Sequence, residues 1–363
     1  MPRAASTEAV LTIDLGAIVA NWRDLAARAA PGAAAAVVKA DAYGLGAAEA
    51  GRALRAAGCR HFFVAQLREG IELRAAIGPG PMIAVLDGFR PGEDGDAGLV
   101  PVMNALADVA AHAAAGRASG VARRAILHID TGMARLGLDA AELARLSADH
   151  GLLAGIDLLY VMSHLACADE PAHPMNAAQA LRFAEACADL PMAPRSFANS
   201  SGLFLGDDFA SSLARPGCAL YGINPTPGRP NPMRAVVRLD APVLQIREIA
   251  AGASVGYGAG WTAARPTRVA TVAAGYADGY LRSLSGRAVA DFRGRPVPLI
   301  GRVSMDLTTF DVTDLPEIAP GDRLTLIGGP GCSPDEVAAQ AGTIGYEILT
   351  SLGARYARDY VRV

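Results

Sequence analysis

Lysine is almost missing from this chain. Lys and Arg total 33 in 363 residues, and Lys39 is the single lysine, so the other 32 are arginine. Aromatic residues are also scarce at 6%, and the 52% apolar content is mostly alanine. The five cysteines (Cys59, Cys167, Cys187, Cys218 and Cys332) are odd in number and form no CxxC. That pattern argues against zinc ligation and against a disulfide framework. No apolar run is long enough to span a bilayer. The opening segment MPRAASTEAVLTIDL has no apolar stretch of signal-peptide length. The expectation is therefore a soluble, cytoplasmic protein without a membrane partner. Net charge is −3, and only the pair Arg123-Arg124 approaches a basic cluster, which argues against nucleic acid. His61, His112, His150 and His173 show no ligand spacing, so no metal site is expected.

What is present has to explain where the last lysine sits. Lys39 follows four alanines and two valines in AAAAVVKADAYGLG. On most surfaces arginine can take the place of lysine. It cannot do so where an amine must lose its proton and attack a carbonyl, because a guanidinium stays charged while a desolvated lysine becomes a nucleophile.

A chain of 363 residues is comfortable for two domains. Its first two-thirds alternates short apolar runs with alanine-rich amphipathic segments. Strands are expected at 34–40, 61–66, 82–88, 100–104, 123–130, 157–164, 195–200 and 214–222. Eight such units predict an α/β fold of the (β/α)8 TIM-barrel type. An earlier strand at 10–15 has no evident place. After the Pro/Gly-rich NPTPGRPNP (224–232), alternating segments punctuated by Gly, Pro and Asp predict a mostly β domain. The expected division is 1–229 for the barrel and 230–363 for the β domain.

Active sites in such barrels lie at the C-terminal ends of the strands. Lys39 closes the first strand, Arg135 follows the fifth, His164 ends the sixth, and Asn199 and Ser200 end the seventh. Arg215 and Gly217 stand at the eighth, so these groups converge on one rim. Ser200 and RPGCALYG can form a phosphate cradle, since small residues let backbone N–H groups approach an anion. Ser-Ser-Gly is also the sequence of an ordinary turn, and His164 could be a satisfied core histidine. Together with a strand-end lysine, they suggest pyridoxal phosphate (PLP), which needs an amine and a seat for its phosphate.

The motifs AVVKADAYGLG, DTGMARLG, SH at 163–164, ANSSG, ARPGCALYG, GYADGY, GRVSMD and TIGYE occur in order along essentially the whole chain. Together they resemble the bacterial alanine racemases. The resemblance implies that Lys39 holds PLP through its amine and acts as one base. Tyr276 would be the second base, reaching the opposite face of the substrate from a partner subunit. Tyr43, Ser200, Gly217, Cys218 and Tyr346 would bind the phosphate, and Asn199 would belong to the same cofactor site. His164 would pack on the cofactor ring and help set the ionisation of Tyr276. Arg215 would face the ring nitrogen. Arginine cannot give that nitrogen a proton, so the ring stays a weaker electron sink and side reactions such as transamination are suppressed. Arg135 and Met305 would hold the substrate carboxylate, with Asp306 in support. The implied activity is interconversion of L- and D-alanine by a homodimer with shared sites, supplying D-alanine for peptidoglycan.

Two positions depart from the family pattern. Many members carry at His128 a lysine whose carbamate orients the neighbouring arginine. His128 cannot supply that charge, so an inorganic anion such as chloride is expected between His128 and Arg135. Ser196 stands where a histidine often supports the arginine at 215. Three rival functions remain on sequence alone: a broader racemase acting on serine, lysine or arginine, a PLP decarboxylase of the same architecture, and a non-catalytic PLP carrier. Arg215 speaks against the decarboxylase, and the Tyr276 domain against the carrier.

Overall fold

The computed structural model describes residues 8–95 and 97–362. Seven parallel strands form one ladder: Ala36–Val37, His61–Val64, Met82–Val85, Val100–Met103, Arg123–His128, Ile156–Met162 and Arg195–Ser196. The eighth, Leu213–Ala214, pairs in parallel with Ala33–Ala34, which leads into the first. Ala35 N–H donates to Ala214 O and Arg215 N–H to Ala198 O, so the eighth strand bonds on both sides and the barrel closes. Met82–Val85 and Val100–Met103 are buried at every residue, as strands covered on both faces must be.

All eight expected strands run past the observed ends, and three of them illustrate why. The ladder stops at Val37, Ser196 and Ala214 instead of running to 40, 200 and 222. Beyond each stop the chain turns across the rim. Pro216 has no N–H to continue the eighth strand, and Cys218–Tyr221 coils into a 3₁₀ turn. The helix layer is uneven for a similar reason. Helices Leu67–Ile77, Leu106–Ser119, Ala140–Ala148 and Pro174–Ala188 cover the outside. The connection between the third and fourth strands, with its Gly- and Pro-rich GFRPGEDGDAG, has no helix among its described residues.

The mostly β domain is built on one long strand, Val237–Ile249. Its first half pairs with Arg323–Ile327 and its second with Thr267–Val272, and the register shifts between Val243 and Gln245. The early strand now has a place. Val10–Asp14 lies in this second sheet, antiparallel to Val237–Ile249 and parallel to Ala357–Val361. Asp14 then caps helix Leu15–Ala29 by accepting from Ala17 N–H at 2.9 Å. On that helix the buried Asn21 donates to Leu220 O and Arg234 O and accepts from Arg234 N–H. One side chain thereby ties the end of the barrel to the start of the second domain.

Candidate active site

Directly after Lys39 the backbone does something unusual. Ala40, Asp41, Ala42 and Tyr43 have φ between 52° and 57°, a complete left-handed turn without a glycine. Each such residue costs about 1–2 kcal/mol relative to the right-handed form. The surroundings hold the turn in place. Asp41 O accepts from Gly46 N–H and Asp41 Oδ1 from Ala47 N–H. Glu69, in the first turn of Leu67–Ile77, accepts from Ala40 N–H at 2.6 Å through one oxygen. Its other oxygen takes Ala65 and Gln66 N–H. The Lys39 amine has a pKa below the usual lysine range, chiefly from burial and next from the Arg135 charge. Asp87 and Glu69 pull weakly the other way.

Across the rim, Ser200 Oγ accepts from Gly217 N–H at 2.9 Å and Ala219 N–H at 3.3 Å, so two backbone donors converge on one small hydroxyl. A Cβ at Gly217 would lie 2.3 Å from Tyr43 Oη, so only glycine lets the tyrosine approach. Tyr43 also packs on Tyr221 and Tyr346. Burial pushes the Tyr43 and Tyr346 phenols up, so both stay protonated as donors. Asn199 lines the same cavity, but its side chain serves the loop: Oδ1 accepts from Gly202 N–H and Nδ2 donates to Leu165 O.

Arg215 is buried, and no carboxylate among the described residues pairs with it. Its Nη1 donates to Ser196 Oγ at 2.7 Å, and its Nη2 donates to Ser163 O and, at 3.3 Å, to His164 Nδ1. Ser196 passes the hydrogen bond on to Leu213 O. The serine thus supports the arginine directly. Burial lowers the Arg215 pKa to about 10, which leaves it charged at neutral pH. His164 is pushed well below the usual histidine range, by burial first and then by Arg215, Arg135, His128 and Lys39.

His128 is held by Asn104. Asn104 Nδ2 donates to Leu86 O and Val102 O, which turns Oδ1 toward His128 Nδ1 at 2.7 Å. The ring therefore carries its hydrogen on Nδ1, and Nε2 is a lone-pair acceptor. Burial, then Arg215 and Arg135, lowers its pKa to about 4, so it is neutral. The side of the ring away from Asn104 therefore offers a lone pair and no charge of its own. The loop bearing Arg135 is shaped by Asp130, which accepts from Gly132, Met133 and Ala134 N–H.

These residues line one cavity of about 830 Å³, where Lys39, Tyr43, His128, Arg135, His164, Asn199, Ser200, Arg215, Gly217 and Cys218 meet Tyr346 from the second domain. Asp87, which also lines it, went unnoticed in the sequence although it lies at the end of an expected strand. Glu69 and Asn104 carried no signal at all, and Ser163 appeared only as part of the SH motif. Tyr276, Met305 and Asp306 do not line the cavity of their own chain. They sit together on an exposed face, where Tyr276 is 41% and Met305 54% exposed. Tyr276 N–H donates to Ser304 O and Ala277 N–H to Met305 O. A Cβ at Gly275 would fall 2.4 Å from Met305 O, so glycine is required there. Arg355 reaches both Asp278 and Asp306 and ties the two loops together.

Residues 13–225 match the model of the alanine racemase N-terminal domain, and residues 236–360 that of the C-terminal domain. The chain belongs to the alanine racemase family. It is 58% identical over 352 residues to an alanine racemase of Acidiphilium cryptum, covering 96% of this chain and 97% of the relative. It is 51% identical to a catabolic alanine racemase of Mesorhizobium japonicum, covering 98% and 94%. The alanine racemase of Bartonella henselae, solved with covalently bound pyridoxal phosphate, superposes with a TM-score of 0.93 at 42% identity, covering 98% of this chain and 100% of that one. The alanine racemase family comprises PLP-dependent isomerases acting on amino acids. The residues here fit that cofactor. The Ser200–Gly217–Ala219 cradle is one that a Cβ would fill, and Lys39 offers a desolvated amine across from it.

Two outcomes are expected. Gly217→Ala should weaken PLP retention about tenfold or more, measured by dialysis and absorbance, while the melting temperature of the cofactor-free protein changes little. Unchanged retention would contradict the cradle. The second concerns pH. His128 has a folded pKa below its unfolded value, so the stability it contributes is present above about pH 6.5 and is lost as pH falls toward 4. A shift of that size corresponds to about 3 kcal/mol. Urea unfolding at both ends of this window should show a His128→Gln variant losing that much less than the parent.

Proposed function

We propose that the protein interconverts L- and D-alanine in the cytoplasm with two bases, supplying D-alanine for peptidoglycan. The observation that carries the reading is the desolvated Lys39 amine facing an anion cradle in one cavity. Bound there, PLP supplies an electron sink for the pair left when the substrate loses its α-proton. Tyr43, Ser200, Cys218, Tyr346 and the Gly217 and Ala219 amides would hold its phosphate. Lys39 would hold its aldehyde carbon and then exchange a proton at Nζ on one face of the substrate. A lowered amine pKa favours that role.

The opposite face needs a second base. Tyr276 and Met305 are exposed and outside their own cavity, so we infer a homodimer in which each copy presents them to the other's site. Tyr276 Oη would then exchange the second proton. Arg135 and the Met305 backbone would hold the substrate carboxylate, with Asp306 and Arg355 fixing the Met305 loop. Arg215 would stay charged at the ring nitrogen, held by Ser196 and Ser163. His164, neutral and bonded to Arg215, would lie against the ring without adding a mobile proton.

Chiral analysis of the PLP-loaded protein with L-alanine, L-serine, L-lysine and L-arginine tests the activity. D-alanine should appear fastest and approach equal enantiomers. Racemisation of another amino acid alone would overturn the substrate, and carbon dioxide release would favour the decarboxylase. Tyr276→Phe should slow exchange of the α-proton from one alanine enantiomer at least tenfold more than from the other. Equal, mild effects in single-turnover exchange would contradict the two-base assignment.

A further inference from the structure

Among the described residues, the left-handed turn at 40–43 is the only place where four non-glycine residues in succession take positive φ, and it begins immediately after Lys39. Nothing in its sequence asks for this. Ala, Asp, Ala and Tyr carry none of the glycine that makes the conformation free. The turn nonetheless sets two functional positions at once. Lys39 lies at its start. Tyr43 lies at its end, with Oη so close to Gly217 that a methyl group there would not fit. If the turn relaxed to the right-handed form, the spacing between the amine and the cradle would change.

Most hydrogen bonds around the turn come from within the same short segment. Ala42 N–H donates to Val38 O, Leu45 N–H to Ala42 O, Gly46 N–H to Asp41 O and Ala47 N–H to Asp41 Oδ1. Local bonds of this kind move with the segment and cannot fix it to the barrel. Three long-range partners differ. Val38 N–H donates to Phe63 O on the second barrel strand, ahead of the turn itself. Arg358 donates to Gly44 O from the last strand. Glu69 accepts from Ala40 N–H, the first amide of the turn. Its other oxygen is fixed by Ala65 and Gln66 N–H, which follow the second barrel strand. The half-buried carboxylate therefore bridges the ends of the first and second barrel strands. A carboxylate is suited to this place, since all three neighbours are donors and only an ionised acid accepts at both oxygens without offering a hydrogen.

We propose that Glu69 is a positioning residue for Lys39, a clamp that keeps the left-handed turn in place and with it the separation between the amine and the phosphate cradle. The inference rests on the reading of Lys39 as the cofactor-bearing amine. Glu69→Gln is the informative change, because it keeps the size but turns one acceptor into a donor facing an N–H. Ala40 is exposed, so Ala40→Gly relieves the conformational demand without opening a cavity.

Hydrogen exchange of the full-length protein, with and without PLP, reads the clamp directly. Glu69→Gln should raise exchange about tenfold in peptides covering 38–47, while peptides from Leu67–Ile77 stay protected. PLP retention should fall about tenfold as well. Ala40→Gly in the Glu69→Gln background should recover part of both. Unchanged exchange at 38–47 would overturn the proposal. So would loss of protection confined to 67–77 or spread over the barrel with a lower melting temperature, since Glu69 would then be only a helix cap. The exchange result without PLP stands whether or not Lys39 carries the cofactor. Failure of the clamp is thus distinguishable from failure of the assignment of Lys39.

Discussion

The rest of the site depends on the burial of one amine, with the Arg135 charge beside it. Arg135 and Arg215 both act on the cavity that holds Lys39, and both depress the histidines beside it. Burial removes the water that would otherwise screen them. The consequence is a division of protonation states within one small volume: Arg215 charged, His128 and His164 neutral, and a lysine moved toward the neutral form. Such a field attracts anions, which suits both a phosphate and a substrate carboxylate. It also explains why the polar supports are neutral. Ser196 and Ser163 O hold Arg215, and Asn104 holds His128, without a carboxylate that would cancel the field.

The two domains contribute unequally to this arrangement. The barrel provides the strand ends that bring Lys39, Arg135, His164 and Arg215 to one rim. The second domain closes the cavity from above with Tyr346 and returns a strand beside Val10–Asp14. Its other functional candidates, Tyr276 and Met305, are carried on an exposed face held by Arg355. In the proposed dimer, these well-fixed outward loops would complete the site of the second copy.

Much of this was legible in the sequence because the informative residues are rare. A single lysine among arginines marks its own position, and glycines around Ser200 and Cys218 mark a close backbone approach. The barrel followed from the alternation of apolar runs, though the runs overstated strand length where the chain turns at the rim. Other features had no sequence signal. Nothing in ADAY marks the left-handed turn it forms. Glu69, Asn104 and Arg355 are common polar residues whose importance lies in pairings across 29, 24 and 49 positions. The tautomer of His128 had no sequence signal either, because it depends on Asn104. The place of Val10–Asp14 likewise depends on partners more than two hundred residues away.

The most direct test of this account is to trap the cofactor on its amine. The PLP-loaded protein would be reduced with borohydride, digested and mapped by mass spectrometry. The account predicts a pyridoxyl adduct on the peptide containing Lys39 and none in a Lys39→Arg variant, since no other lysine competes. An adduct only at the N-terminal amine, or racemisation that persists in Lys39→Arg, would contradict it.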